Sequence, residues 1–467
     1  YDRCQNQVDA SKDEINQRSE IVEKAINAGA LGVSTSRTIL HRDVHGVYVP
    51  GTEASSEEMK ELAFAVDRAG EGTLEIVSDW LDQEIEMSWM KEYVEKSDCG
   101  LTVLQTNGDS VKTILYCEEQ FLKGKNVRPQ FPGRNVGLMF GLESSLHPFI
   151  GHPSYKEISH LPLNERLSIM RDPAFKQKIL NESPSFREDL QKAAKEQKSN
   201  KTKEEIKAEA EIGKKLISNY ETQFILSDPP NYEPTREDSI AYLAEQRNQS
   251  EEEVIYDELI KDDGKSLIYA CFTPYENHKL KFVETFYKLK SSVAGGSDGG
   301  AHCGLICDAS MPTTNLSHWA RDRSAGNKIP LELIIRKQTK DTAETYGLFD
   351  RGEIKTGMIA DINIIDFEKL NVSLPKMIFD LPKGGKRLVQ ESFGYLATIK
   401  SGEVVYENGQ ATGTLPGQVI RGKQTSEAKD TKEKISFYDR TVRLFAVKLL
   451  RLFWAVRNKP VKSTVIS

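Results

Sequence analysis

Chemistry is concentrated between residues 293 and 308. There Val293-Ala294-Gly295-Gly296-Ser297-Asp298-Gly299-Gly300-Ala301-His302 places a carboxylate and an imidazole four positions apart, just past the small and apolar run 291–294. Glycine lets a chain leave a strand through backbone angles that other residues resist, and it lets a ligand approach the backbone. A carboxylate that can take a proton from water, with a second polar group beside it, suits metal-assisted hydrolysis. An aspartate after a strand is also an ordinary turn former or helix cap, so the motif alone leaves both readings open. Cys303 and Cys307 flank it; they read as small apolar residues, since thiolate metal sites bring more cysteines.

The elements that must position this stretch follow a β/α rhythm, short apolar runs separated by polar amphipathic segments. Strands are expected at 31–33, 74–77, 101–104 and 127–131, with helices at 13–28, 56–69 (capped by Ser56), 87–96 and 110–123. Later strands are expected at 220–226 and 266–272, and a helix at 331–348. Ser34 to Arg37 then falls at the carboxyl end of a strand, the end that faces substrate in a barrel. Arg37 there could clamp a carboxylate in bidentate fashion or form a structural ion pair.

With its continuation Ala309-Ser310-Met311-Pro312-Thr313-Thr314 and His318-Trp319-Ala320-Arg321-Asp322-Arg323, the stretch resembles the N-acyl-D-amino-acid deacylase (D-aminoacylase) branch of the amidohydrolase superfamily. Gly29 to Thr38 with His41, Gly141-Leu142-Glu143 with His147 and His152, Arg336 to Thr339 with Asp341, and Ala360 to Asp366 resemble further blocks of it, over about 21–422. The resemblance implies an α/β fold, a TIM-type (β/α) barrel over 1–345 followed by a small β domain segment over 346–422. It also implies a divalent metal, usually zinc, and hydrolysis of a non-peptide amide C–N bond in a small N-acylated substrate. Asp298 matches the acid that takes a proton from water and passes it to the leaving amine. Ser34, Arg37, Arg134 and His302 are the residues expected to orient substrate or oxyanion.

The chain departs from that pattern. The family's first barrel strand ends in a His-x-His metal pair, and none occurs among the eight histidines, so the barrel is expected to be N-terminally incomplete. Gln105 and Gln130 stand where middle-strand histidines are expected, and a neutral amide is a poor zinc ligand. The metal ligands are therefore unknown, with His147, His152 and His302 as the replacements to test. The region 163–220 reads as a helical insertion, its stretch 191–215 a solvated Lys/Glu-rich helix.

The mildly acidic balance, formal charge -7 over 467 residues, and the lack of basic runs interleaved with aromatics speak against nucleic acid. Six cysteines without close pairs fit a reducing, cytoplasmic setting. The tail 423–467 reads as a charged linker and a basic amphipathic helix. It puts Val442, Phe445, Leu449, Leu452, Phe453 and Val456 on one face, for packing on the barrel or for peripheral membrane contact through 436–457. The rival readings are a cyclic-amide or other C–N hydrolase of the same superfamily and a catalytically inactive relative that binds a ligand or membrane.

Overall fold

The computed structural model describes residues 9–39, 41, 48–80, 82–106, 111–185, 214, 217–273, 275–300, 302–422 and 435–457, with side chains to 452 in the last helix. Most of the expected Lys/Glu-rich helix at 191–215 and the linker 423–434 lie outside the described residues. Eight strands come first: β1 (Gly32–Arg37), β2 (Thr73–Ser78), β3 (Gly100–Leu104), β4 (Val127–Pro132), β5 (Val136–Phe140), β6 (Gln223–Ile225), β7 (Ile268–Thr273) and β8 (Val293–Gly295). One sheet has the order β1-β2-β3-β4-β8 with every neighbouring pair parallel. It is an open arc of β/α units, with β1 and β8 at its edges.

Alternation of side chains along each strand gives the arc two unlike faces. Leu74, Ile76, Leu101, Val103 and Val127 pack outward against Ile26, Met59, Ala63, Val66, Met90 and Tyr93 of the covering helices. Each such side chain contributes roughly 1.5–3 kcal/mol when buried. Ser34, Glu75, Thr102 and Gln130 take the other face: Ser34 is in register with Glu75 and Glu75 with Thr102, and Gln130 Nε2 donates to both Glu75 and Thr102. A slip by one residue would turn these polar groups into the apolar core. The register is thereby fixed.

β5, β6 and β7 form a separate antiparallel sheet of order β5-β7-β6. The runs at 220–226 and 266–272 are thus strands, but they stand outside the parallel arc. The helix Ser56–Arg68 is capped by Ser55, whose Oγ accepts from Glu58 N at 3.2 Å, and Ser56 is its first residue. The helix expected at 331–348 is two, Leu331–Gln338 and Lys340–Thr345, broken at Thr339 (φ -123, ψ -86). The second piece closes the amino end of the arc: Thr345 O accepts from Thr73 Oγ1 and Asn126 Nδ2, each at 3.0 Å.

β8 is short and is held from outside. Glu118 accepts from Ser291 N (2.9 Å) and Ser291 Oγ (2.6 Å), and the buried Lys337 donates to Ser292 O at 2.7 Å. After the arc come β9 (Ile362–Ile365), β10 (Asn371–Val372), β11 (Lys376–Leu381), β12 (Gly385–Val389), β13 (Ser392–Phe393), β14 (Tyr395–Lys400), β15 (Glu403–Glu407) and β16 (Gln410–Ala411). Four of them make an antiparallel sheet, β16-β15-β14-β9, on which Ile364, Leu396, Val404 and Tyr406 are exposed.

The C-terminal helix, Phe437–Arg457, packs on the helix Val111–Leu122 through its basic side and not, as the barrel-packing reading expects, through its apolar row. Val447 is buried there, Arg443 lies 3.9 Å from Glu118, and Arg451 pairs with Glu119. Val442, Phe445, Leu449 and Leu452 point to solvent. Among the described residues no helix is long and apolar enough to cross a membrane.

Candidate active site

Because the five strands of the arc are parallel, their carboxyl ends share one face, where barrel enzymes place chemistry. Five polar side chains gather there. Asp298 lies three residues beyond β8, after Gly296 at φ 79, a conformation open to glycine. His302 follows at φ 48, and its carbonyl accepts from Leu305 N (2.7 Å) and Ile306 N (2.9 Å), so a tight turn holds it. His41, beyond β1, shares a 2.6 Å hydrogen bond between its Nδ1 and Ser36 Oγ, and its ring lies 5.5 Å from that of His302. Asp79, beyond β2, accepts from Ile39 N at 2.8 Å, two residues before His41. Glu75 stands below them on the polar face.

These groups feel one another electrostatically. Burial and then the charge of His302 lower the pKa of His41, against the pull of Asp79 and Asp298. Its imidazole is therefore neutral near pH 7. Burial raises Glu75, the hydrogen bond from Gln130 opposes this, and the Asp298 charge adds to the rise. Asp298 and His302 are themselves exposed. Perturbed titratable groups beside an accessible carboxylate mark a functional site. Asp298 and His302 stood out in the sequence; His41, Asp79 and Glu75 had not been singled out as site residues. The available signal was position, since each lies at or just past the end of a parallel strand or on its polar face.

The remaining expected residues are placed as follows. Ser34 is exposed on the polar face of β1. Arg37 is committed elsewhere: Nε donates to Glu86 at 2.7 Å and Nη1 to Ala54 O at 2.6 Å, while Glu86 also accepts from Trp89 Nε1. Of its two readings, the ion pair is the one present. Arg134 is buried beyond β4 and lies 3.7 Å over the Tyr232 ring, with Nη2 donating to Cys307 O (2.7 Å) and Asp308 (3.1 Å). Its Nε and Nη1 have no hydrogen-bond partner among the described residues. His147 and His152 are not brought to Asp298. His147 packs edge-on against Tyr155, and burial followed by the Arg166 charge pushes its pKa down to about 3.

The described donors do not fit a metal ion. No three His, Cys, Asp or Glu side chains among them come together as a holding group. Gln105 is wholly buried and turns its Nε2 to Leu104 O (2.9 Å), and the Gln130 amide is spent on Glu75 and Thr102. His45, in the masked stretch 42–47, lies outside the described residues.

No curated protein matches the chain. Among solved structures, a D-aminoacylase described for the role of its binuclear metal center aligns at 17% identity and a TM-score of 0.46, over 87% of this chain and 66% of its own. A second, described as defining a novel subset of amidohydrolases, aligns at 17% identity and a TM-score of 0.45 with the same coverage. The chain thus spans just under two thirds of the length of those D-aminoacylases. The amidohydrolase family model matches residues 282–406, from the helix ahead of β8 through Asp298 and His302 to β15.

Proposed function

We propose that the protein hydrolyses the amide C–N bond of a small N-acylated amino acid, in the manner of an N-acyl-D-amino-acid deacylase. The observation that carries this reading is the exposed Asp298 at the carboxyl end of a parallel β/α arc, inside the stretch that the amidohydrolase family model matches and flanked by His41 and His302. Asp298 takes the proton from the attacking water and returns it to the leaving nitrogen, so the amine departs neutral. Neutral His41, oriented by Ser36, and His302 stand where the carbonyl oxygen gains charge and can donate to it. Arg134, buried and paired with Asp308, holds the segment after the catalytic turn and does not reach the substrate. The resemblance implies zinc, but the described donors do not form a set for it, so none of these steps runs through a metal.

The test is amine release from matched D and L N-acyl amino acids. Turnover restricted to the D series supports the reading; turnover of neither, with cyclic amides cleaved instead, would move the reaction to the rival C–N hydrolases.

A second reading, a binding protein that engages lipid through its tail, is favoured by the outward apolar row Val442, Phe445, Leu449 and Leu452. Flotation with anionic vesicles, with and without residues 436–460, decides it. Equal flotation of the two proteins removes the membrane reading.

A further inference from the structure

A cavity of about 480 Å³ lies between the segment 142–166 and the β11–β12 hairpin. Its polar lining is unusual. Arg166 and Lys386, more than two hundred residues apart in sequence, both face it, with Glu143 as the carboxylate in the lining. Arg166 Nη1 donates to Leu142 O (2.7 Å) and Tyr155 Oη (2.6 Å), and Lys386 Nζ donates to Glu143 O (2.7 Å) and Ser144 O (3.2 Å). Among the described residues, both cations are thus hydrogen-bonded by neutral acceptors and make no ion pair with a carboxylate. Ser144 Oγ, His147 Nδ1 and Arg166 Nε, all on lining residues, are shut from solvent with no hydrogen-bond partner among the described residues. Ser144 is 5% exposed and His147 1%. Burial lowers the pKa of Lys386 and the nearby Arg166 charge lowers it further, against the pull of Glu143, and an anion between the two cations would add to that pull. The lining also carries the apolar Ile150, Leu161, Leu163 and Phe379.

We infer that this cavity is a binding site for an amphiphilic oxyanion, a carboxylate with a short aliphatic tail, its head between Arg166 and Lys386 and its tail along Leu161, Leu163 and Phe379. The site is coupled to the catalytic turn by contact. Ser145 N donates to Gly304 O (2.8 Å), Leu388 N to Cys303 O (2.7 Å), and a Cβ on Gly304 would stand 2.3 Å from Ser145 Oγ. An occupant that draws Lys386 and Ser144 together bears on the strand and turn against which residues 303–304 rest. The cavity lining includes neither Asp298, His41 nor His302, so the inference stands apart from the hydrolytic reading.

The experiment is titration calorimetry of the full chain with octanoate and with acetate. Saturable binding of one octanoate per chain is expected, at least tenfold tighter than acetate. Arg166→Gln and Lys386→Gln should each weaken it tenfold or more, and Asp298→Asn should leave it unchanged. Phe379→Ser, at a 54% exposed residue, should cost octanoate affinity and spare acetate. No saturable binding, equal affinity in Phe379→Ser, or loss in Asp298→Asn would each overturn the assignment.

Discussion

Glu233→Gln is the substitution that most sharply tests how the segment after the catalytic turn is anchored. Glu233 is 3% exposed and accepts from Arg323 Nε (2.8 Å) and Nη2 (3.0 Å), from His318 Nε2 (2.9 Å) and from Leu280 N (2.8 Å). His318 and Arg323 belong to the turn-and-helix run after Asp298, whose Trp319 Nε1 donates to Gly133 O at 2.6 Å. Burial alone would raise the Glu233 pKa, but the bonds from His318, Arg323 and Leu280 N win and hold it at about 2. Measured from the ordinary 4.5, that depression corresponds to about 3 kcal/mol favouring the folded state. The folded pKa lies below the unfolded one. The stabilisation is therefore complete above pH 4.5 and disappears as pH falls toward 2. The glutamine variant, which cannot ionise, should lose about 3 kcal/mol in urea unfolding at pH 7 and should lack this acid limb. A loss under about 1 kcal/mol, or an unchanged limb between pH 5 and 2, would refute the assignment of the network as the anchor.

Gly133→Ala would put its Cβ 2.1 Å from Asn315 Oδ1, so a stability loss of about 1–3 kcal/mol is expected in thermal unfolding; an unchanged Tm would mean that Asn315 moves freely. Burial lowers Lys337, paired at 3.1 Å with Asp341, to about 8. Its folded pKa lies below the unfolded 10.5, so wild-type Tm should rise between pH 8 and 10.5. Lys337→Met should flatten that rise, and a parallel rise in the variant would assign it to another group.

The β/α arc was legible because its strands are apolar on one face and its helices carry caps and regular spacing. What the sequence concealed depends on long-range partners. Val136–Phe140 follows β4 after only three residues and pairs with β7, more than a hundred residues on, so no local period marked it as the start of a second sheet. Arg37 offered two roles until Glu86, forty-nine residues away, supplied the ion pair. The C-terminal helix showed a clear apolar stripe, yet charges on Glu118 and Glu119 draw its basic side inward. Asp298 could be found from its glycine-rich setting. His41, Asp79 and Glu75 join it only because β1, β2 and β8 run parallel in one arc, a fact of topology.

The most direct test of the account is the rate of amine release from N-acyl-D-amino acids by the wild type and by Asp298→Asn, with unfolding curves for both. Asp298 is exposed, and no described residue hydrogen-bonds to its carboxylate, so the variant should fold as the wild type does. Its rate should fall by about 10²–10⁴-fold, the contribution of a lost general base. Turnover within a few-fold of wild type in the folded variant would contradict the assignment of Asp298 as the proton carrier.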